Sequence, residues 1–309
     1  MRRRLTQRRF ILAIAAGGAV LIALTAVIVI AAVGTRHTAP AGHASPSTSS
    51  HTPPRAPSFA GWPNAETTGV PAEARPLQKH GDLTVTTAGA YYTRLDIEGC
   101  VTVEADNVTI TQSLIHCART RRPAVQMKGG KNLVLDQVEI DGGGKADSCV
   151  ATNSFTIYRS NLHDCTDGID FSSNVVIEGN YIHDLARSTG SHNDALQTLG
   201  GADDIIRNNT LQSFRADTHD PMNAAIQTGR LKRSLTNVLV EHNYMDGGNY
   251  TVNAGSPPTK GTVIEGYVFR NNVFGRDYRY GPVRAVGEGT VFDATNVWAD
   301  TGKSVRTQD

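Results

Sequence analysis

The sequence predicts an all-β solenoid: about nine short coils of parallel strands stacked along one axis. Two observations carry this expectation. A ten-residue segment recurs along the chain, as in NVTITQSLIH (107–116), NLVLDQVEID (132–141), SFTIYRSNLH (154–163), NVVIEGNYIH (174–183), DDIIRNNTLQ (203–212), NVLVEHNYMD (237–246) and GYVFRNNVFG (266–275). An earlier copy starts at Gly89 and a degenerate one at Thr290. Within each copy apolar residues alternate with period 2, the signature of a strand.

The columns justify the register copy by copy. Eight residues past each start stand Ile97, Ile115, Ile140, Leu162, Ile182, Leu211, Met245, Phe274 and Trp298, all apolar in a chain that is 39% hydrophobic. Three past the start stand Tyr92, Ile110, Leu135, Ile157, Ile177, Ile206, Val240 and Phe269, and only the last copy breaks, at Asp293. Fixed inward columns on coils of variable length are what a stacked repeat array requires. A length of 309 residues, which alone suggests two domains, is thereby read as one array with an N-terminal extension.

That extension is a membrane-directing segment. Residues 1–10 carry five Arg and no acid, and form a cytoplasmic basic segment. From Ile11 to Gly34, 20 of 24 residues are apolar and none is charged, enough to cross a bilayer core as one helix. The Arg cluster fixes its N-terminal side in the cytoplasm, so the body is expected on the extracellular side of the membrane, single-pass anchored. Cleavage after the small-x-small Ala32-Val33-Gly34, releasing a secreted body, is the alternative. Residues 35–58 hold 14 Ser, Thr or Pro in 24 and form a linker, and 59–309 are the β-domain.

Without residues 1–34, the body has 25 basic against 29 acidic residues. That balance, with 6% aromatics over the whole chain, argues against a nucleic-acid partner. A monomer is expected. The four cysteines, Cys100, Cys117, Cys149 and Cys165, all lie in the exported part and are expected to form disulfides. Of three possible pairings, Cys100–Cys117 and Cys149–Cys165 close the shortest loops and are preferred.

In these repeats the chain resembles the right-handed parallel β-helix family, the pectate-lyase-like superfamily, and in particular its secreted actinobacterial repeat proteins. The resemblance covers about Gly61 to Trp298. It implies a carbohydrate-active protein: a lyase, epimerase or hydrolase of a polysaccharide. Its catalytic motifs are matched in part. Arg121-Arg122-Pro123-Ala124-Val125-Gln126 follows the lyase pattern RxPxxR, with Gln in the final place. Asp217-Thr218-His219-Asp220 follows the epimerase pattern DPHD, with Thr for Pro. The hydrolase motifs GHG and NTD are absent.

Six past the start come Asn180, Asn209, Asn243, Asn272 and Asn296. They predict a structural asparagine ladder, its side-chain amides bonding the backbone of a sharp turn from coil to coil, with Asn tolerating the left-handed conformation such a turn needs. His116, His163 and His183 follow the apolar column and are read as turn-capping residues.

A second strand precedes each copy: AVQM (124–127), GIDF (168–171), ALQT (195–198), AIQT (225–228), TVNA (251–254) and PVRA (282–285). Its third position is always polar: Gln126, Asp170, Gln197, Gln227, Asn253, Arg284. Alternation turns these outward. Five rungs from Asp170 to Arg284 would run roughly 19 Å along the axis, a track for an extended polymer. Gln197, Gln227, Asn253 and Arg284 are therefore expected to bind substrate.

The adjoining turns supply ionisable groups. His192, Asp194, His219, Asp220 and Asp170 are the expected catalytic residues, as acid, base or partner carboxyl. Asp167 and Asp194, at equivalent places on neighbouring coils, are candidates for holding Ca2+ and for raising one another's pKa. A non-catalytic glycan-binding or surface module is the competing expectation.

Overall fold

The computed structural model describes residues 61–255, 259 and 261–307. The anchor or signal segment 11–34 and the linker 35–58 lie outside them. Among the described residues no helix is long and apolar enough to cross a membrane.

Strands appear in a strict cycle of three. The first three, Gln78–His80, Leu83–Val85 and Tyr91–Thr93, found three parallel sheets, A, B and C. Among the described residues every later strand pairs with the one three places before it, giving ten strands in sheet A and nine each in sheets B and C. The architecture is a three-sheet parallel β-solenoid.

Each ten-residue copy that reads as one strand is in fact two. Thr109–Thr111 belongs to sheet C and Leu114–His116 to sheet A, with a two-residue corner between them. The corner has a local cause. The residue five past each start has positive φ: Arg94, Gln112, Gln137, Arg159, Gly179, Asn208, His242 and Asn271. The start residues do so too, including Asn107, Asn132, Asn174 and Asn237, a conformation that Asn and Gly tolerate best.

The asparagine ladder is present with the expected role, side-chain amides bonding backbone from coil to coil, and only its backbone conformation differs. The ladder residues themselves are not left-handed; the residues before Asn180, Asn209, Asn243 and Asn272 are. Each ladder side chain serves buried backbone. Asn209 Nδ2 donates to Ile177 O at 2.9 Å, and Asn209 Oδ1 accepts from Asn180 N at 2.9 Å. The chain of such bonds runs through Asn243 and Asn272 to Asn296. Ser160 and Ser113 extend the column toward the N-terminus, where Ser160 Oγ accepts from Val138 N and Ser113 Oγ from Leu95 N.

The apolar columns form the core. Ile97, Ile115, Ile140, Leu162, Ile182, Leu211, Met245 and Phe274 are fully buried. At the last coil, Phe269 pairs with Phe292 and Phe274 with Trp298. The final copy therefore starts at Gly289, not Thr290. Its inward position is filled by Phe292, and a four-residue corner brings Trp298 back into line. Both disulfides take the short pairing, Cys100–Cys117 and Cys149–Cys165. Two such bridges are those of a protein that folds in an oxidising, extracellular-type environment.

Candidate functional site

Sheet B carries the polar ladder. Asp170 is in register with Gln197, Gln197 with Gln227, Gln227 with Asn253, and Asn253 with Arg284. One strand missing from the sequence alignment, Ser148–Thr152, lies between Gln126 and Asp170. It places Ala151 in the polar column, so Gln126 is not adjacent to Asp170. The ladder is continuous only from Asp170 onward.

The strand that carries Asp170, Asp167–Phe171, departs from simple alternation. Gly168 and Ile169 are both buried, as are Ala195 and Leu196 in the next coil. Cβ-sized space is absent at Gly168, where an added atom would lie 2.5 Å from Ile182. A small residue there lets two consecutive positions face the core. Asp167 and Asp170 are consequently both free to join the polar side, and both are half-buried rather than core.

The result is a carboxyl cluster spanning two coils. Asp167 Oδ1 accepts from Asp194 N at 2.8 Å. Asp194 Oδ1 accepts from Asn223 Nδ2 at 2.7 Å, and Asp194 Oδ2 is buried with no partner. Asp170 Oδ1 accepts from Gln197 Nε2 at 3.0 Å, and Ser148 Oγ donates to Asp170 Oδ2. Burial, then the charges of Asp170 and Asp194, push Asp167 up to about 9. Burial pushes Asp194 up to about 7, against the opposing bond from Asn223. Asp170 is also raised, by burial, while its bonds from Ser148 and Gln197 work the other way. Such a cluster holds protons near neutral pH beside ionised carboxylate, the pairing that acid–base chemistry uses.

Asp170 and Gln197 line a groove of about 380 Å³. Its far wall is supplied by Lys232 and Arg233, from the turn leading from sheet B to sheet C. Arg233 Nη1 donates to Ser172 Oγ at 3.1 Å. Among the described residues neither cation makes a salt bridge. The ladder amides are partly committed to one another: Asn253 Nδ2 donates to Gln227 Oε1 at 3.0 Å. Arg284 is exposed, with its guanidinium 5.5 Å from the Tyr250 ring centroid.

The remaining candidates stand elsewhere. His192 and His219 are exposed in turns between sheets A and B, and neither makes a hydrogen bond or ion pair among the described residues. Asp220 bonds Arg187 and accepts from Met222 N at 2.9 Å, and Arg187 holds its carboxyl below the usual range. Asp217 accepts from Arg215 Nε at 3.0 Å. The DTHD segment thus fastens turns together, and Asp220 lines a different groove, with Arg187 and Arg215.

Calcium does not fit the predicted pair. Asp167 and Asp194 each have one oxygen taken by an N–H donor, and among the described residues no third ligand brings the cluster's oxygens within 4.8 Å of one another. A hard cation needs six to eight oxygens, so no step is assigned to one here. The trio that does approach to that distance is Asp141, His163 and Asp164, on sheet A and its edge. It is an ion-pair network. His163 Nδ1 lies 2.9 Å from Asp164 Oδ2, and Arg215 Nη1 3.1 Å from Asp164 Oδ1. Burial opposes charge on His163, but Glu139 and Asp164 outweigh it and raise the imidazole to about 9. His116 and His183 likewise bond carboxylates, Asp141 at 2.8 Å and Asp184 at 2.7 Å. These histidines hydrogen-bond carboxylates along sheet A, and burial lowers His183, so its bond to Asp184 is that of a neutral imidazole.

Sequence reasoning passed over Ser148, Asn223, Lys232 and Arg233. Asn223 had a legible signal: Asn193, Asn223 and Asn249 each stand one residue before a sheet B strand on consecutive coils. Comparison with protein-family models, with curated proteins and with solved structures finds no match. The chemistry of the site therefore rests on its own geometry.

Proposed function

We propose that the chain is an exported, polysaccharide-active enzyme on a right-handed parallel β-helix of pectate-lyase-like type, hydrolysing a glycosidic bond over sheet B. The observation that carries this reading is the Asp167–Asp170–Asp194 cluster, opening through Asp170 into a groove walled by Lys232 and Arg233. Hydrolysis needs two carboxyls in opposite protonation states and no further base. Asp167, held protonated, is the proton donor to the leaving oxygen. Asp170, the carboxyl that reaches the groove, is the base or nucleophile. Asp194 positions Asp167 through its backbone N–H, and Gln197 orients Asp170. A lyase or epimerase would call on His192 or His219, and both stand exposed and unpartnered in their turns.

The test is to incubate the full chain with a panel of polyuronates and neutral polysaccharides and to measure new reducing ends. Asp170→Asn and Asp167→Asn should each abolish them. An unsaturated product absorbing at about 235 nm would replace hydrolysis by elimination. Binding with no chemical change would favour the second reading, a glycan-binding module. The amide-to-amide bonding of Gln227 and Asn253 supports that alternative, since a self-satisfied ladder also serves as a rigid binding face.

A further inference from the structure

The sheet B face ends in a feature that the carboxyl cluster does not use. The outward column holding Asp167 and Asp194 continues as Ala224 and Tyr250. Tyr250 faces Tyr280 with ring centroids 5.7 Å apart, and Tyr280 is 59% exposed. Two guanidiniums flank the pair: Arg284 is 5.5 Å from the Tyr250 ring and Arg279 5.9 Å from the Tyr280 ring. Among the described residues neither Arg makes a salt bridge. Arg279 N donates to Gly248 O and Tyr280 N to Asn249 O, so the turn bearing them is pinned to the preceding coil.

Local charge agrees with this. Residues 270–307 hold six Arg or Lys against four Asp or Glu, on a body with an acidic excess. Two rings offer flat apolar faces, and two guanidiniums offer planar forks for an oxyanion. An uncharged sugar would leave both forks unused.

We infer that Tyr250, Tyr280, Arg279 and Arg284 form a remote subsite that grips an anionic sugar of a chain whose other end lies at Asp170. Ala224 is one rung from Asp194 and Tyr250 two, so the rings stand roughly 10 Å along the axis from the carboxyl cluster. The subsite rests on the proposed function for its polymer. It adds the anionic class of that polymer and the direction in which it runs, toward the C-terminal coils.

The test uses the full chain and three hexasaccharides: a carboxylated one (hexagalacturonate), a sulfated one and a neutral one. Binding is measured by calorimetry, with circular dichroism to confirm each variant's fold. The wild type should bind at least one anionic hexasaccharide more tightly than the neutral one. Tyr280→Ala should weaken that binding about tenfold. The double variant Arg279→Gln/Arg284→Gln should weaken it further and flatten its salt dependence. Which anion binds tells carboxylate from sulfate. If binding is lost in Lys232→Gln/Arg233→Gln but unchanged in all the tyrosine and arginine variants, the subsite is refuted while the proposed function stands. If the arginine variant alone responds, the surface is a general anion patch and the inference fails. If no hexasaccharide binds, both readings fall.

Discussion

Asp194 N donates to Asp167 Oδ1 at 2.8 Å, linking two carboxyl-bearing residues on neighbouring coils through one residue's backbone. A backbone donor favours the ionised form of Asp167, yet its pKa lies near 9 because burial and the surrounding charges outweigh that bond. The pair is therefore held together while Asp167 is held protonated.

This has a pH signature. Asp167 and Asp194 bind protons more tightly folded than unfolded, so stability from them is complete below about pH 4 and declines as pH rises. For Asp167 the decline runs from about 4 to about 9, and for Asp194 it ends near 7. His163, raised to about 9, acts in the same direction: its contribution is full below about 6.5 and lost through 9. The melting temperature should rise as pH falls from 8 to 5, and Asp167→Asn should flatten that slope. An unchanged slope in the variant would mean that Asp167 is ionised throughout.

The catalytic reading separates the candidates by effect. Asp170→Asn should lower turnover by about 10²–10⁴ with little change in fold. His192→Ala and His219→Ala should leave turnover within about twofold, as exposed residues without partners do. Steady-state kinetics on the three variants decides the matter, and loss of activity in either histidine variant would move the site to the A–B turns.

Asn209 serves two backbone groups in a place without water. Asn209→Ala strands Asn180 N and Ile177 O, at a cost of about 1–3 kcal/mol for each group left unpaired. Urea unfolding should show this loss, and a smaller one for Asn296→Ala at the end of the ladder.

The Cys149–Cys165 bridge closes a loop of sequence separation 16, for which chain entropy alone predicts about 3 kcal/mol. Cys149→Ser/Cys165→Ser should lower stability by that order, measured by the same titration under non-reducing conditions. Arg187→Ala, by contrast, breaks an exposed pair with Asp220 and should change stability by less than about 1 kcal/mol.

What could be read from the residues follows the physics of repetition. Inward positions must be apolar in every coil, so Ile110 through Phe269 and Ile97 through Phe274 declare themselves. The same holds for Asn180 to Asn296, because one buried corner recurs. The strand Ser148–Thr152 escaped because its outward residue is Ala151 and its neighbour Cys149 is spent on a disulfide. The last coil was misplaced by one residue because its corner is longer. At the site, Asp167, Asp170 and Asp194 were legible from strand register. Lys232 and Arg233 were not, since they belong to a turn whose path is set by packing rather than by the repeat. His192 and His219 stand exposed in long turns between sheets A and B, where no column holds a side chain.

The corners of the coil are not alike. From Thr109 to Phe274 the turn from sheet C to sheet A is always two residues, whereas the turns on either side of sheet B range from two to eleven. One edge of the solenoid is thus closed to insertion by its own buried amide column. New side chains can enter only along the two borders of sheet B. Any diversification of this scaffold is therefore channelled to the rims of a single face, where altered turns can change what lies over Asp170 without disturbing a coil.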